Sequence, residues 1–153
     1  MFVLIIGLAL GGCASPTVYQ PYRDSFWGTS GGYTDTKLQE GVYRVNFTGN
    51  DDTDTVRTAD FAMLRAAEVA LRDGYSYFLI STERTETMSN VAIYSRSSWP
   101  SVYNMPISSF VVQCFKEKPE TTAIVYDAEA VRKNIRAQYG MPDPAQAAIV
   151  EKK

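Results

Sequence analysis

The chain has 153 residues, with 15 basic and 17 acidic side chains, two cysteines and no histidine. About one domain fits this length, and a formal net charge of −2 gives no reason to expect a nucleic-acid binder, which needs a basic surface. Without histidine the chain has no serine–histidine–aspartate triad and no histidine-ligated zinc, and two cysteines are too few for a Cys₄ metal site.

Residues 1–12 predict a signal peptide that is removed from the mature protein. They read MFVLIIGLALGG, with nine apolar residues, three glycines and no charged side chain. The run is too short to cross a bilayer core, which takes about 20 residues, and it has the length of a signal-peptide hydrophobic region. A buried N-terminal strand with a structural cysteine is the alternative. A glycine pair followed by Pro16 is more typical of a cleavage site than of a strand.

A lipidation motif follows the apolar run. Leu10, Gly11, Gly12 and Cys13 resemble the bacterial lipobox, in which small residues precede the cysteine. The resemblance implies cleavage between Gly12 and Cys13, attachment of diacylglycerol to the Cys13 thiol, and acylation of the new amino group with a fatty acid such as palmitate. Two or three acyl chains anchor a protein almost permanently in a membrane. In lipoproteins of this kind an aspartate after the cysteine favours the inner membrane, so Ala14 implies the periplasmic face of the outer membrane.

Residues 13–41 predict the lipidated cysteine and a flexible tether, because prolines and glycines interrupt every regular period. As a coil the tether spans roughly 30 Å, and up to about 90 Å when stretched. It carries five aromatic side chains: Tyr19, Tyr22, Phe26, Trp27 and Tyr33. We expect the last three to pack on the domain. The first two could equally contact the domain, lipid headgroups or a partner.

Residues 42–140 predict an α+β domain. The strand over 42–48 alternates with period two, and a turn over 49–52 ends it. Thr53 or Asp54 then caps a helix that runs to Asp73 and is ended by Gly74. Apolar residues at helical spacing give this helix a buried stripe.

The rest of the domain contains three further strands and a second helix. The predicted segments are a strand over 75–82, a polar loop over 83–108 with a short strand over 91–94, strands over 109–116 and 121–126, and a helix over 128–139 capped by Asp127. Residues 141–153 predict a C-terminal tail. The order β-α-β-β-β-α favours a three- to four-stranded, mostly antiparallel sheet with helices on one face.

Three short motifs in the mature chain carry a family resemblance. They are Gly32-Tyr33-x-Asp35-x-x-Leu38, then Tyr43-x-Val45-x-Phe47-x-Gly49-Asn50, then Arg65-Ala66-Ala67-Glu68 with Gly74 six positions on. They resemble a family of small, functionally uncharacterised proteobacterial outer-membrane lipoproteins. The resemblance covers roughly residues 1–80 and a C-terminal Tyr126-x-Ala128-x-x-Val131. It implies a lipid anchor and a single domain, and it implies no catalytic residue.

Five residues of these motifs are candidate structural positions: Gly49, Asn50, Arg65, Glu68 and Gly74. Arg65 and Glu68 lie three positions apart on one helix, so their side chains can meet. Glu68 could act as an acid or base. We expect instead a surface ion pair, or a carboxylate that fixes the helix to neighbouring backbone, and an exposed pair contributes only about 0–1 kcal/mol.

Other polar residues have plain structural interpretations beside functional ones. The aspartates within 49–54 could bind calcium, but the segment lacks EF-hand spacing, and capping and turn formation explain the same residues. Asp60 falls near the apolar stripe, where proximity to the helix start offsets its burial. Cys114 lies among apolar strand neighbours and is expected to be a small buried hydrophobe.

The polar loop over 83–108 carries Tyr94, Trp99 and Tyr103 among serines. Exposed aromatic loops often serve recognition, although this loop could equally lie folded on the sheet edge.

The sequence therefore predicts a non-enzymatic, lipid-anchored interaction or structural module of the bacterial envelope. Expected partners are membrane lipid through acylated Cys13 and an envelope protein or glycan; no nucleic acid, cofactor or metal is expected. One alternative is a glycan hydrolase using Glu68 and an aspartate, which needs two carboxyls about 5–10 Å apart across a cleft. A small-ligand or metal-binding periplasmic module is another, and it needs a well-formed pocket.

Overall fold

The computed structural model describes residues 15–24, 30–92 and 101–142, without the side chains of 90–92 and 101–103. The predicted signal peptide, Cys13, the aromatic residues Phe26, Trp27, Tyr94 and Trp99, and the tail from 143 lie outside these residues. Neither helix in the described part of the chain is long and apolar enough to cross a membrane.

Five strands and two helices form an α+β fold, as predicted. The elements are β1 (Gly32–Gln39), β2 (Val42–Thr48), α1 (Thr55–Arg72), β3 (Tyr77–Ala92), β4 (Ser101–Phe115), β5 (Tyr126–Asp127) and α2 (Ala128–Gln138). They form one sheet in the order β1-β2-β4-β3-β5, and every neighbouring pair is antiparallel. The sheet has five strands where the sequence predicted three or four.

The extra strand is β1, which lies within the segment predicted as a flexible tether. It forms a hairpin with β2, in which Tyr33 opposes Phe47 and Asp35 opposes Val45. These positions share the face that packs against α1, so Asp35 points inward with Tyr33, while Lys37 has the same register but an exposed side chain. An inward charge disrupts the alternating pattern that identifies a half-buried strand, and the tether prediction is wrong over β1 for that reason.

The prediction of a polar loop over 83–108 is also wrong, because most of this segment belongs to two long strands. β3 continues to Ala92 and β4 begins at Ser101, and the two pair residue by residue as an antiparallel ribbon. The described side chains of β3 over 81–89 are exposed, so no pattern of alternating burial marks this strand. A strand was predicted over 121–126, but β5 covers only Tyr126 and Asp127. The prediction and the structure therefore share one residue, Tyr126.

Both helices begin at the predicted caps. Asp54 accepts a hydrogen bond from the Arg57 amide at 2.7 Å, and Asp127 accepts one from the Ala130 amide at 2.9 Å. These bonds satisfy amides that have no partner within the helix. Gly74 follows α1 with φ +82°, a left-handed conformation that glycine adopts without strain.

The core lies between α1 and one face of the sheet. Its largest fully buried side chains are aromatic and aliphatic residues of β2, α1, β3 and β4: Tyr43, Phe47, Leu64, Phe78 and Phe110. Burying each of them contributes roughly 1.5–3 kcal/mol. α2 packs against α1 and β5, so the two helices meet over the core. This contact brings the polar sides of α1 and α2 within reach of β1.

Candidate functional site

Four of the five motif residues predicted from the sequence lie in two places that the N-terminal segment connects, and the fifth, Gly74, follows the C-terminus of α1. Gly49 and Asn50 are in the turn between β2 and α1, whereas Arg65 and Glu68 lie on the part of α1 that faces β1 and α2. Residues 15–24 run past both places and bond to each. Both pairs therefore contact the same N-terminal segment, residues 15–24, which sequence spacing alone does not indicate.

At the first place, Asn50, Thr17 and Thr53 form a polar cluster that we call the Asn50 junction. The Thr17 amide donates to Thr53 Oγ1 at 2.9 Å, and the Asn50 amide donates to Thr17 Oγ1 at 2.9 Å. Asn50 Nδ2 donates to the Ser15 carbonyl at 2.8 Å, while Asn50 Oδ1 accepts from Thr53 Oγ1 at 2.6 Å. Thr17 is 5 % exposed. The junction thus satisfies the polar groups of a buried stretch of backbone.

Gly49 permits the close packing of this junction. A Cβ atom at Gly49 would lie 2.6 Å from Thr53 Cβ, so a larger residue would displace the turn. The Gly49 amide also donates to the Pro106 carbonyl on β4 at 2.8 Å. A glycine at this position lets the turn lie between the N-terminal segment and the sheet.

At the second place, arginines and carboxylates form a connected group that we call the ion-pair cluster. Its members are Asp35, Arg65, Glu68, Arg72, Asp73 and Arg136. Arg65 donates through Nε and Nη2 to Asp35 Oδ1, at 2.8 and 2.6 Å. Its guanidinium also lies 4.2 Å from the centre of the Tyr33 ring, a cation–π contact. The cluster therefore ties β1 to α1.

Glu68 is the member with the most partners. It accepts from Tyr19 Oη at 2.5 Å and from Arg65 Nη1 at 3.2 Å through one oxygen, and from Arg136 Nη2 at 2.6 Å through the other. Its side chain is 17 % exposed. The prediction of an exposed surface pair with Arg65 is therefore wrong. The carboxylate joins side chains of the N-terminal segment, α1 and α2 rather than neighbouring backbone.

The charges of the cluster shift the pKa values of its members. Burial alone would raise the pKa of Asp35, but the hydrogen bonds and charge of Arg65, together with those of Arg72, hold it below its usual value. Burial and the adjacent Glu68 carboxylate raise the pKa of Tyr19 well above that of a free tyrosine. Both Asp35 and Tyr19 are therefore held in their ordinary neutral-pH forms, anion and phenol respectively.

The other end of the cluster fixes the C-terminus of α1. Arg72 donates to Asp73 Oδ1 at 2.7 Å and to Asp35 Oδ2 at 3.2 Å. Tyr43 Oη on β2 donates to Asp73 Oδ2 at 2.5 Å. The hydrogen bonds from Arg72 and then Tyr43 lower the pKa of Asp73 to about 2. Asp73 thus holds the end of the helix on the sheet.

The central carboxylates of the cluster are bound by arginines. Both oxygens of Glu68 are engaged by arginine, and Asp35 is shared between two arginines. The described residues also contain no group of three or more histidine, cysteine, aspartate or glutamate side chains that could hold a metal ion.

The acidic turn after β2 has structural roles of its own. Asp54 caps α1, and Asp51 Oδ1 accepts a hydrogen bond from the Asn104 amide on β4. Capping, which the sequence offered against calcium binding, accounts for Asp54, whereas Asp51 joins the turn to β4.

The structure corrects the predicted surroundings of Asp60 and confirms those of Cys114. Asp60 Oδ2 accepts from Tyr139 Oη at 2.7 Å and from Gln138 Nε2 at 3.1 Å, so the last residue of α2 and its C-cap supply partners where the sequence suggested the helix start. Cys114 is 6 % exposed and belongs to the core, as predicted. Burial raises the pKa of its thiol to about 12. These residues stabilise the fold and do not join a site.

Sequence reasoning missed the docking of residues 15–24. The Tyr33 amide donates to the Gln20 carbonyl at 2.8 Å, and the Tyr22 amide donates to the Tyr33 carbonyl at 2.9 Å. The Tyr19 ring lies 4.8 Å from that of Tyr33 and 5.4 Å from that of Phe61. Tyr33 thus packs on the core as expected, and Tyr19 does too. The prolines and the lack of a regular apolar pattern suggested a tether. The aromatic residues of the segment were the one feature of the sequence that indicated packing on the domain.

The structure does not describe the side chains of the predicted interaction residues. Tyr94 and Trp99 lie outside the described residues, and Tyr103 is a position of β4 whose side chain is not described.

Comparisons with family models, curated proteins and solved structures find no match to this chain. The resemblance to outer-membrane lipoproteins is therefore an expectation from the motifs alone.

Proposed function

We propose that the chain is a lipid-anchored, non-enzymatic interaction or structural module at the periplasmic face of a bacterial outer membrane. The observation that carries the proposal is the sequence Leu10-Gly11-Gly12-Cys13 directly after an uncharged apolar run. The thiol of Cys13 would receive the diacylglycerol, and the buried Cys114 would not compete for it.

The arrangement of polar side chains supports the non-enzymatic part of the proposal. Asn50, Arg65 and Glu68, which drew attention in the sequence, are occupied in holding residues 15–24, β1 and the two helices together. A partner protein or glycan would then be bound elsewhere. The aromatic residues Tyr94, Trp99 and Tyr103 are the candidates that the sequence offers for that contact.

The anchor is tested by replacing each cysteine separately in the full chain. Cells grown with a palmitate analogue are fractionated, and label on the protein is measured for the parent, Cys13→Ala and Cys114→Ala. We expect Cys13→Ala to lose the label and to leave the membrane fraction, with Cys114→Ala retaining both. A Cys13→Ala protein that still carries the label and sediments with membranes would contradict the proposal.

A further inference from the structure

Resting on the proposed function, we infer that the acyl anchor holds the domain directly against the lipid headgroups by one defined end. The end is formed by the Asn50 junction, the turn over 49–52 and the ribbon of β3 and β4 beyond Ile107. The partner surface is the bilayer itself. A long tether would instead let the domain move freely above the membrane.

The first observation is how early in the chain the docking begins. The Ser15 carbonyl accepts from Asn50 Nδ2, and Thr17 is buried in the Asn50 junction. Ser15 is two residues after Cys13. Two extended residues reach about 7 Å, compared with roughly 30 Å for the coil predicted from the sequence. The anchor point therefore lies within about 7 Å of the folded domain.

The second observation is that the docking is continuous along the N-terminal segment. After Thr17, Tyr19 is held by Glu68, and residues 20–23 bond to the backbone of Gly31 and Tyr33. Arg23 and Gly31 exchange two backbone hydrogen bonds, at 3.1 and 2.9 Å. A pull on the chain at Ser15 is therefore opposed by several sites on the domain. Loss of one bond would leave the others in place.

The third observation fixes which end faces the bilayer. Asn50 lies two residues after Thr48, the last residue of β2, which pairs with Ile107. Past this row β3 and β4 pair only with each other, and the turn reaches along them, since Asp51 accepts from the Asn104 amide. The ribbon extends three further residues beyond Asn104, to Ser101, or about 10 Å. The anchor leaves the domain at this same end, where the Ser15 carbonyl is bonded to Asn50, so this end would face the headgroup layer.

The opposite end of the molecule lies one helix length away. There the Cys114 amide donates to the Gly41 carbonyl, and the Ser76 amide donates to the Phe115 carbonyl. The 18 residues of α1 separate the two ends by about 27 Å. Exposed positions exist at each end for labelling: Asp52 in the turn near the anchor, and Lys118 just past β4.

The inference is tested with the full acylated protein, extracted from membranes and reconstituted into phosphatidylethanolamine and phosphatidylglycerol vesicles. A donor dye is placed on Asp52→Cys or on Lys118→Cys, and an acceptor dye on the lipid headgroups. Cys13 would be blocked as a thioether and Cys114 is buried, so the dye reacts at the new thiol. Because α1 separates the ends by about 27 Å, we expect at least about twofold stronger energy transfer from position 52.

A linker variant serves as the control. A 20-residue glycine–serine insertion between Ala14 and Ser15 leaves every contact of the domain intact and adds a coil of about 25 Å. It should reduce the transfer from position 52 to the level of position 118. Equal transfer from both positions without the insertion would overturn the inference while leaving the anchor in place. Intact mass spectrometry showing no diacylglycerol on Cys13 would overturn the proposed function and the inference with it.

Discussion

Replacement of Glu68 by alanine is the sharpest test of the ion-pair cluster. The substitution removes the acceptor for Tyr19 Oη at 2.5 Å, for Arg136 Nη2 at 2.6 Å and for Arg65 Nη1 at 3.2 Å. The two arginines retain other acceptors. Arg65 still donates to Asp35, and Arg136 Nη1 still donates to the Pro142 carbonyl. The Tyr19 hydroxyl loses the acceptor of its hydrogen bond.

The expected cost follows from these contacts. Hydrogen bonds to charged groups contribute about 1.5–3 kcal/mol each, and removing one partner of a buried pair costs about 3–5 kcal/mol. Glu68 is 17 % exposed and its arginines keep other acceptors, so we expect Glu68→Ala to lower the free energy of unfolding by about 2–4 kcal/mol. Tyr19→Phe, which removes only the hydroxyl, should cost about 1–2 kcal/mol.

The assay is urea unfolding followed by far-ultraviolet circular dichroism. Glu129→Ala is the matched control, because Glu129 forms the same kind of i,i+3 pair with Arg132 but is 57 % exposed. We expect the control to cost at most about 0.5 kcal/mol. In the double variant of Tyr19 and Glu68 the two losses should not add, since both remove the same bond. A Glu68→Ala protein no less stable than the control would refute the energetic role of the cluster.

Three further predictions follow from single residues. Gly49→Ala should lower the free energy of unfolding by about 1–3 kcal/mol in the same urea assay, because the new methyl overlaps Thr53; an unchanged midpoint would contradict the close approach. Asp73 has a pKa lowered from 3.8 to about 2, so its contribution is present above about pH 4 and is lost as the pH falls toward 2. Asp73→Asn should flatten that part of an acid-unfolding curve, and an equally steep curve would count against the shift. Cys114, with a pKa of about 12, should resist iodoacetamide until denaturant is added, as intact mass spectrometry would show; rapid labelling of the native protein would mean that the thiol is exposed.

The sequence predicted the elements whose signals are local. β2 alternates cleanly, and α1 and α2 each follow an aspartate cap, so their positions could be found without knowledge of distant contacts. The α+β class followed from their order. These predictions depend on bonds between residues a few positions apart.

The sequence did not reveal elements that depend on distant partners. β1 places Asp35 inward, and the charge is accommodated by Arg65, 30 positions later. The β3 and β4 ribbon is polar on its described exposed stretch, so backbone pairing rather than burial defines it. A binary pattern of apolar and polar residues carries neither kind of information.

The candidate site shows the same division. The spacing of Arg65 and Glu68 correctly indicated that they meet, as an i,i+3 pair. The further partners of Glu68 come from 49 residues before and 68 residues after it, in Tyr19 and Arg136. Their side chains meet because α2 packs on α1 and Tyr19 contacts both Glu68 and Arg136. No local motif marks that arrangement.

The most direct measurement is amide hydrogen exchange at Thr17 in the full chain, because the central claim is that the segment just after the predicted anchor belongs to the folded domain. Its amide is buried and bonded to Thr53 Oγ1 at 2.9 Å. We expect protection similar to that of the Tyr33 amide, which bonds to the same N-terminal segment at Gln20. Exchange of Thr17 at the rate of an unstructured peptide, with Tyr33 in β1 protected by comparison, would contradict the docking and restore the flexible tether.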